Sequence, residues 1–300
     1  MTMASNRAET DDKAGSPLTV VLPARNEARS LDSLLPRVKA ALPGARVVVV
    51  DDASEDDTAA VCARHGVEVV SHSHRMGNGA AIKTGARMVT SDMVAFMDAD
   101  GQHDPLAVVE LVAELETGCD MVVGARRFSS QASVGRGLAN AMYCRLASYM
   151  TGCAIPDLTS GLRVARTDRF REFLYLLPNG FSYPTTITMA FFRSGYAVRY
   201  VPVTVAKRQG KSHIQLWRDG MRFLMIIFKI GTLYSPLKLF LPVSGAFFLA
   251  GIGLYLHNYL ASQRFTNMSA LLLSVSVLIF LIGLVSEQIT ALMFKDSEKG

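Results

Sequence analysis

At 300 residues, half of them hydrophobic and only 19% charged, the chain is too apolar for disorder and more apolar than a purely soluble domain. Its net charge of +5 points towards nucleic acid, a membrane surface or anionic substrates. Cys62, Cys119, Cys144 and Cys153 are too widely spaced for a zinc ribbon or a disulfide framework and fit a reducing compartment.

In chain order, residues 1–16 are polar, lack an apolar core and read as a flexible tail, not a signal peptide. A domain over 17–212 follows, in which apolar runs alternate with helical patterns. Residues 18–22, 46–50, 67–70, 93–97 and 121–124 read as buried strands, each followed by an amphipathic stretch. That alternation predicts an α/β fold with a mainly parallel sheet and ligands at the carboxyl ends of its strands.

Two acidic groups fall at such strand ends. Asp51-Asp52-Ala53-Ser54-Glu55-Asp56-Asp57-Thr58 follows the second strand, and Ser54 or Asp56 suits a helix cap there. Asp98-Ala99-Asp100-Gly101-Gln102-His103-Asp104 follows the fourth, with Asp104-Pro105 as a cap and first-turn proline. On an extended segment Asp98, Asp100 and Gln102 project to one side. Three oxygen donors of that kind suit Mg²⁺ or Mn²⁺ with open positions for phosphate oxygens. His103 reads as a residue that shapes this site rather than a ligand. Between the groups, Gly77-Asn78-Gly79-Ala80-Ala81-Ile82-Lys83-Thr84 is neither a Walker loop nor G-x-G-x-x-G, because Ile82 stands where each needs glycine. Two readings stand for it: a close backbone approach to a ligand with Lys83 on a phosphate, or an ordinary helix N-terminus.

The positive charge gathers further on. Lys207, Arg208, Lys211, Arg218, Arg222, Lys229 and Lys238 are accompanied only by Asp219, so this collar outweighs the net charge of the whole chain. That distribution argues for anionic lipid headgroups and against nucleic acid. Arg218, Arg222 and Lys229 fall within about 40° on a helical wheel, opposite Phe223, Leu224, Ile227, Phe228 and Ile230. Residues 213–235 therefore read as an amphipathic helix in the membrane interface. Residues 239–263 and 265–286 then carry no charge over 25 and 22 positions, and roughly 20 apolar residues span a bilayer. Two transmembrane helices, at about 237–261 and 267–294 within 236–300, are expected, with Glu287 facing protein or the interface. The basic flanks put both termini and the α/β domain on the cytoplasmic side.

Pro23-Ala24-Arg25-Asn26-Glu27 resembles the P-x-Y-N-E opening of glycosyltransferase family 2, with Arg25 in place of tyrosine. Asp51-Asp52-Ala53-Ser54 with Asp56 and Thr58 resembles its D-D-x-S-x-D-x-T. Asp98-Ala99-Asp100-Gly101-Gln102-His103 resembles the D-A-D-x-Q-H of the polyprenyl-phosphate (dolichyl-phosphate) hexosyltransferase branch. Asp157-Leu158-Thr159-Ser160-Gly161-Leu162-Arg163 is similar to that branch's D-x-x-S-G-F-R. The resemblance covers about 17–215, and two C-terminal spans match a common layout of the branch.

The resemblance implies a GT-A fold and inverting transfer of a hexose, of the glucose or mannose class, from UDP- or GDP-hexose to a polyprenyl phosphate. Carried over by position, Pro23, Ala24, Glu27 and Asp52 would hold the nucleoside, with Arg25, Lys83, Asp98 and Ala99 also along the nucleotide. Asp98, Asp100 and Gln102 would carry the metal on the diphosphate. Arg126, Arg136, Ser160, Arg208 and Lys211 would grip phosphates, including the acceptor's, and Asp100, Arg126 and Arg208 would act in transfer itself. Rival readings keep the domain but use a glycan or diacylglycerol acceptor, or make the chain a noncatalytic nucleotide-sugar-binding scaffold. A homo-oligomer is expected only because symmetric assemblies are common.

Overall fold

The computed structural model describes residues 17–126, 134–180, 182–205, 231–232, 234–263 and 266–295. The first five strands and helices alternate: β1 (Leu18–Ala24), α1 (Ala28–Ala41), β2 (Arg46–Asp51), α2 (Thr58–Arg64), β3 (Glu68–Ser71), α3 (Asn78–Met88), β4 (Met93–Phe96), α4 (Leu106–Glu116), β5 (Met121–Arg126) and α5 (Val134–Thr151). They are followed by β6 (Arg163–Arg166), α6 (Thr167–Arg171), α7 (Tyr183–Arg193) and β7 (Val198–Val203).

The strands form one seven-stranded sheet in the order β3-β2-β1-β4-β6-β5-β7. β1 pairs in parallel with β2 and β4, β2 with β3, and β5 with β7, while β6 runs antiparallel between β4 and β5. β1 is buried along its whole length, as a continuous apolar strand covered on both faces must be. α1 turns Leu31, Leu34, Leu35 and Val38 inward, the spacing of one helical face. The chain leaves β1 towards β2 and β3 and returns to β4 on β1's other side. The carboxyl ends of β1 and β4 therefore flank the point where strand order reverses, where open α/β sheets take their ligands. β6 and β7 lie outside the five predicted strands; β6 carries Arg163 and Arg166, and β7 is only half-buried, so neither shows the continuous apolar run of β1 or β2.

The described chain divides into two compact units, Met1–Cys144 with Ile155–Lys211, and Arg145–Ala154 with Ser212–Gly300. The second contains α8 (Pro236–Ser262) and α9 (Asn267–Lys295), each long and apolar enough to cross a membrane. Leu249, Leu260, Ile282, Val285 and Leu292 point outward and are exposed, which the core helices of a water-soluble domain do not tolerate in such number. The two helices hold each other through polar groups. Ser244 Oγ donates to Ser276 O at 2.9 Å and Ser276 Oγ donates back to Ser244 O at 3.0 Å. Glu287 Oε2 accepts from Leu237 N at 3.2 Å, so this charged side chain does meet protein, at the first turn of α8. Residues 206–230 and 233, with most of the expected interfacial helix, lie outside the described residues.

Candidate active site

The turns after β1 and β2 lock together. Asn26 and Ala53 both take left-handed backbone, φ 54° and 56°, a strained choice for residues other than glycine. Asn26 N donates to Ser54 Oγ at 2.8 Å and Glu55 N to Asn26 Oδ1 at 2.8 Å. Asp56 accepts Ala28 N at 3.0 Å and Thr58 N at 3.1 Å, the first amides of α1 and α2. The N-cap position of α2 is Asp57, so neither Ser54 nor Asp56 holds it; Ser54 joins the turns, its own hydroxyl donating to Asp51.

Pro23 and Ala24 are buried in β1, and Ala24 O accepts Asp52 N at 2.9 Å. Asp52 is 4% exposed and largely engaged within the protein. Its Oδ1 meets His72 Nδ1 at 2.9 Å and accepts Met76 N at 2.7 Å, while Oδ2 accepts Gly77 N at 2.8 Å. Burial pushes this carboxyl up, but the bonds from His72, Met76 and Gly77 outweigh it and hold the group below the usual carboxylate range. Its main contact in the structure is thus with the β3–α3 loop. Glu27 accepts Ser30 Oγ at 2.8 Å. Arg25 is part-buried, and its Nε has no partner among the described residues.

The α3 N-terminus answers the two readings of its glycines. A Cβ on Gly79 would stand 2.0 Å from Pro178 O, and Ala80 N donates to Asn179 O at 2.9 Å. The close approach is made by the chain's own 178–180 segment. Lys83 Nζ donates to Leu177 O at 3.1 Å and to Asn179 Oδ1, so it ties α3 to that segment.

The second acidic group follows β4. Asp98, Asp100 and Gln102 are part-exposed, and Ala99 is buried. The backbone is not extended there, as expected from sequence, but turns at Ala99–Asp100. Gly101 has φ 71°, and Asp100 Oδ1 accepts Gln102 N at 3.1 Å. The turn, and not strand alternation, sets the relation of Asp100 to Gln102. Among the described residues no group of three His, Cys, Asp or Glu side chains forms a ready metal cage. Two carboxylates and an amide are hard oxygen donors that fit a divalent ion keeping its remaining positions for phosphate and water. His103 is buried, its Nδ1 without a partner among the described residues; burial pushes its pKa down despite Asp100 and Asp157 nearby.

The motif at 157–163 closes the site. Arg126, at the end of β5, donates Nε to Asp157 Oδ2 at 2.7 Å, Nη2 to Asp157 Oδ1 at 2.9 Å and Nη2 to Thr159 Oγ1 at 2.5 Å. The hydrogen bond to Asp157 raises the Arg126 pKa above its already high value, and Asp98 adds to it through space. Among the described residues Ser160 Oγ is buried without a partner. Arg163 is wholly buried, bonding Ser160 O at 2.5 Å, Pro184 O at 3.1 Å and Thr188 Oγ1 at 3.3 Å. Asp157 and Arg163, not singled out individually from sequence, organise this side of the site. Their signal was the motif itself, in which an acid and a base bracket a serine and a glycine. Arg208 and Lys211 lie outside the described residues, as does the side chain of Arg136 on α5.

A family model for glycosyl transferase family 2 matches residues 19–174, more than half of the chain. The chain belongs to glycosyl transferase family 2. A second model, described as the GtrB C-terminal hairpin, matches residues 235–292 of this family 2 glycosyltransferase. An uncharacterized glycosyltransferase of Mycobacterium tuberculosis is 50% identical over 115 residues, 38% of this chain and 50% of that protein. The chain thus spans about half the length of the mycobacterial relatives it matches. The undecaprenyl-phosphate mannosyltransferase of Micrococcus luteus is 30% identical over 206 residues, 63% of this chain and 83% of that protein. Among solved structures, glucosyl-3-phosphoglycerate synthase of Mycobacterium tuberculosis with Mn²⁺ and UDP-glucose aligns with TM-score 0.55. It is 26% identical and covers 72% of this chain and 78% of that one. The α/β unit is therefore GT-A-like.

Proposed function

We propose that this glycosyltransferase moves a hexose from a nucleoside-diphosphate sugar to a membrane polyprenyl phosphate, with inversion, on the cytoplasmic face of the membrane. The observation that carries the reading is the pair Asp98 and Asp100 at the strand-order reversal, beside Arg126 and Ser160, on a chain that ends in an apolar hairpin. The names of the relatives support it: besides the Micrococcus luteus enzyme, the polyprenol monophosphomannose synthase of Mycolicibacterium smegmatis is 28% identical over 77% of its length.

In this reading a phosphate oxygen of the acceptor forms a bond to the anomeric carbon. The bond from that carbon to the donor's diphosphate breaks, and the nucleoside diphosphate leaves with the electron pair. The acceptor oxygen is already anionic, so the chain has to position and neutralise rather than deprotonate. Asp98, Asp100 and Gln102 would hold Mg²⁺ or Mn²⁺, which when bound neutralises charge on the leaving diphosphate. Arg126, kept oriented by Asp157, offers donors to a phosphate beside Asp98. Among the described residues Ser160 Oγ has no partner, and in this reading it bonds a phosphate oxygen. Arg136, Arg208 and Lys211 supply further positive charge, and the basic collar gathers anionic headgroups. Pro23, Ala24, Arg25 and Glu27 line the nucleoside end.

The test is the full chain in detergent with UDP- and GDP-hexoses, a polyprenyl phosphate, and Mg²⁺ or Mn²⁺, read by product mass. A single hexose on the lipid phosphate is expected. A labelled glycan or diacylglycerol, a growing polymer, or donor binding without turnover would overturn the reading.

A further inference from the structure

We propose that the carboxyl end of α5 and the turn after it, residues 146–154, dip into the headgroup boundary of the membrane, a contact with lipid in addition to that of the C-terminal hairpin. From Leu146 to Pro156 the chain carries no charged residue over 11 positions, yet much of this stretch is open. Tyr149 is 58% exposed, and Gly152, Cys153 and Ala154 are exposed as well. The packed face of the helix is already filled, with Cys144, Ala147 and Met150 buried. A helix end that is apolar on its packed face and uncharged on its open one suits water poorly, because protein surfaces in water ordinarily carry charge. Arg145, exposed one turn before Tyr149, bounds the stretch.

Its attachment sets its depth. Residues Arg145–Ala154 belong to the same compact unit as the hairpin, and Lys238 Nζ, from the first turn of α8, donates to Met150 O at 2.9 Å. Charged groups of the hairpin gather at that end: Glu287 accepts Leu237 N at 3.2 Å, and from 239 to 263 the chain carries no charge. A charged group deeper in the bilayer is costly, so the level of Lys238 is the boundary between headgroups and hydrocarbon. Met150 is held at that boundary, and its neighbour Tyr149 faces outward there. Tyrosine favours this depth, with its ring in the apolar layer and its hydroxyl in the wet one. Arg145 is long enough to meet a lipid phosphate from one turn back. Continuity selects lipid as the occupant, since the bilayer around the start of α8 extends to the segment bonded to it. Asp157, which clasps Arg126, follows three residues after Ala154, so the tip tethers the 157–163 motif to the lipid surface. This inference rests on the hairpin's crossing the membrane.

Cys153 is exposed while Cys62, Cys119 and Cys144 are buried, so the native full chain can be labelled at the tip itself. A nitrobenzoxadiazole dye is attached to Cys153 in detergent, and the protein is carried into nanodiscs of phosphatidylcholine and phosphatidylglycerol. The dye is expected to shift its emission to the blue, to lose intensity to a nitroxide on the upper acyl chain, and to resist iodide in the water. Quenching by iodide with none by the lipid nitroxide would overturn the inference. Shielding from both quenchers would overturn it too, because protein would then cover the tip. A second arm removes any affinity of the dye itself for lipid: Trp217 is the sole tryptophan, so Tyr149→Trp in a Trp217→Phe background reports from the tip alone. The same lipid nitroxide should quench it, and water-exposed emission would overturn the inference whatever the dye reads. The reference is Leu281→Cys in a Cys153→Ser background, exposed midway along α9, read with a nitroxide deep in the acyl chain. Quenching there with none at the tip overturns the α5 contact alone. No quenching at Leu281→Cys means that the hairpin does not cross the bilayer, and the inference falls with that reading.

Discussion

Arg126 is clasped through two nitrogens by Asp157, Nε to Oδ2 at 2.7 Å and Nη2 to Oδ1 at 2.9 Å, with the Asp157 side chain only 2% exposed. The pair orients the guanidinium but also neutralises part of its charge. In the proposed reading, Arg126 would act on a phosphate through directed N–H groups more than through net charge. Burial pushes the Asp157 carboxyl up, but its bonds with Arg126 outweigh that and hold it below its ordinary value of 3.8. A carboxyl lowered by folding stabilises the protein above the unfolded value and loses that contribution as pH falls through the folded one. Asp157→Asn should cost ~2–3 kcal/mol near neutral pH. Melts at falling pH should show the gap to wild type narrowing below about pH 4.

Asp100 Oδ1 accepts the turn bond from Gln102 N at 3.1 Å, and its side chain is part-exposed. Asp100→Ala should melt within ~1 kcal/mol of wild type and lose transfer by about 10²–10³-fold. Full turnover by the folded variant would remove Asp100 from the metal set.

Lys83 was a phosphate candidate by sequence, yet its ammonium is bonded to Leu177 O and Asn179. Lys83→Ala should lower stability by ~1 kcal/mol and leave the donor KM within about twofold, since a change in uniform substrate binding would appear in KM. A large rise in KM with unchanged melting would restore the phosphate role.

Glu287 satisfies an amide at the start of α8 from within α9. Glu287→Ala should loosen the hairpin by ~1 kcal/mol in detergent melts, because an orphaned N–H remains. Glu287→Gln keeps a carbonyl acceptor and should recover most of the loss.

The α/β alternation, the strand-end placement of both acidic groups and the two apolar helices were all legible from residue pattern. Each depends on periodicity or on a run of one residue class, and these are local properties of a chain. The β6 and β7 strands were not, because Arg163 in β6 and the half-buried β7 break the apolar run by which a buried strand is known. The arrangement of Asp98, Asp100 and Gln102 was expected on an extended segment and is made by a turn at Ala99–Asp100.

Sequence by itself determined which chemical groups this protein carries: acids after buried strands, arginines and serine in an ordered set of motifs, a basic collar and an apolar end. Tertiary structure decided which parts of the protein those groups meet. Asp52 is bonded to His72 and two backbone amides, Lys83 to a distant carbonyl, Arg126 to Asp157, and Asp98 rests on Gly161. Hydrogen bonds act over about 3 Å, and the partners stand up to 94 positions apart along the chain. Spacing in sequence carries no record of such meetings; only the packed sheet and its loops create them.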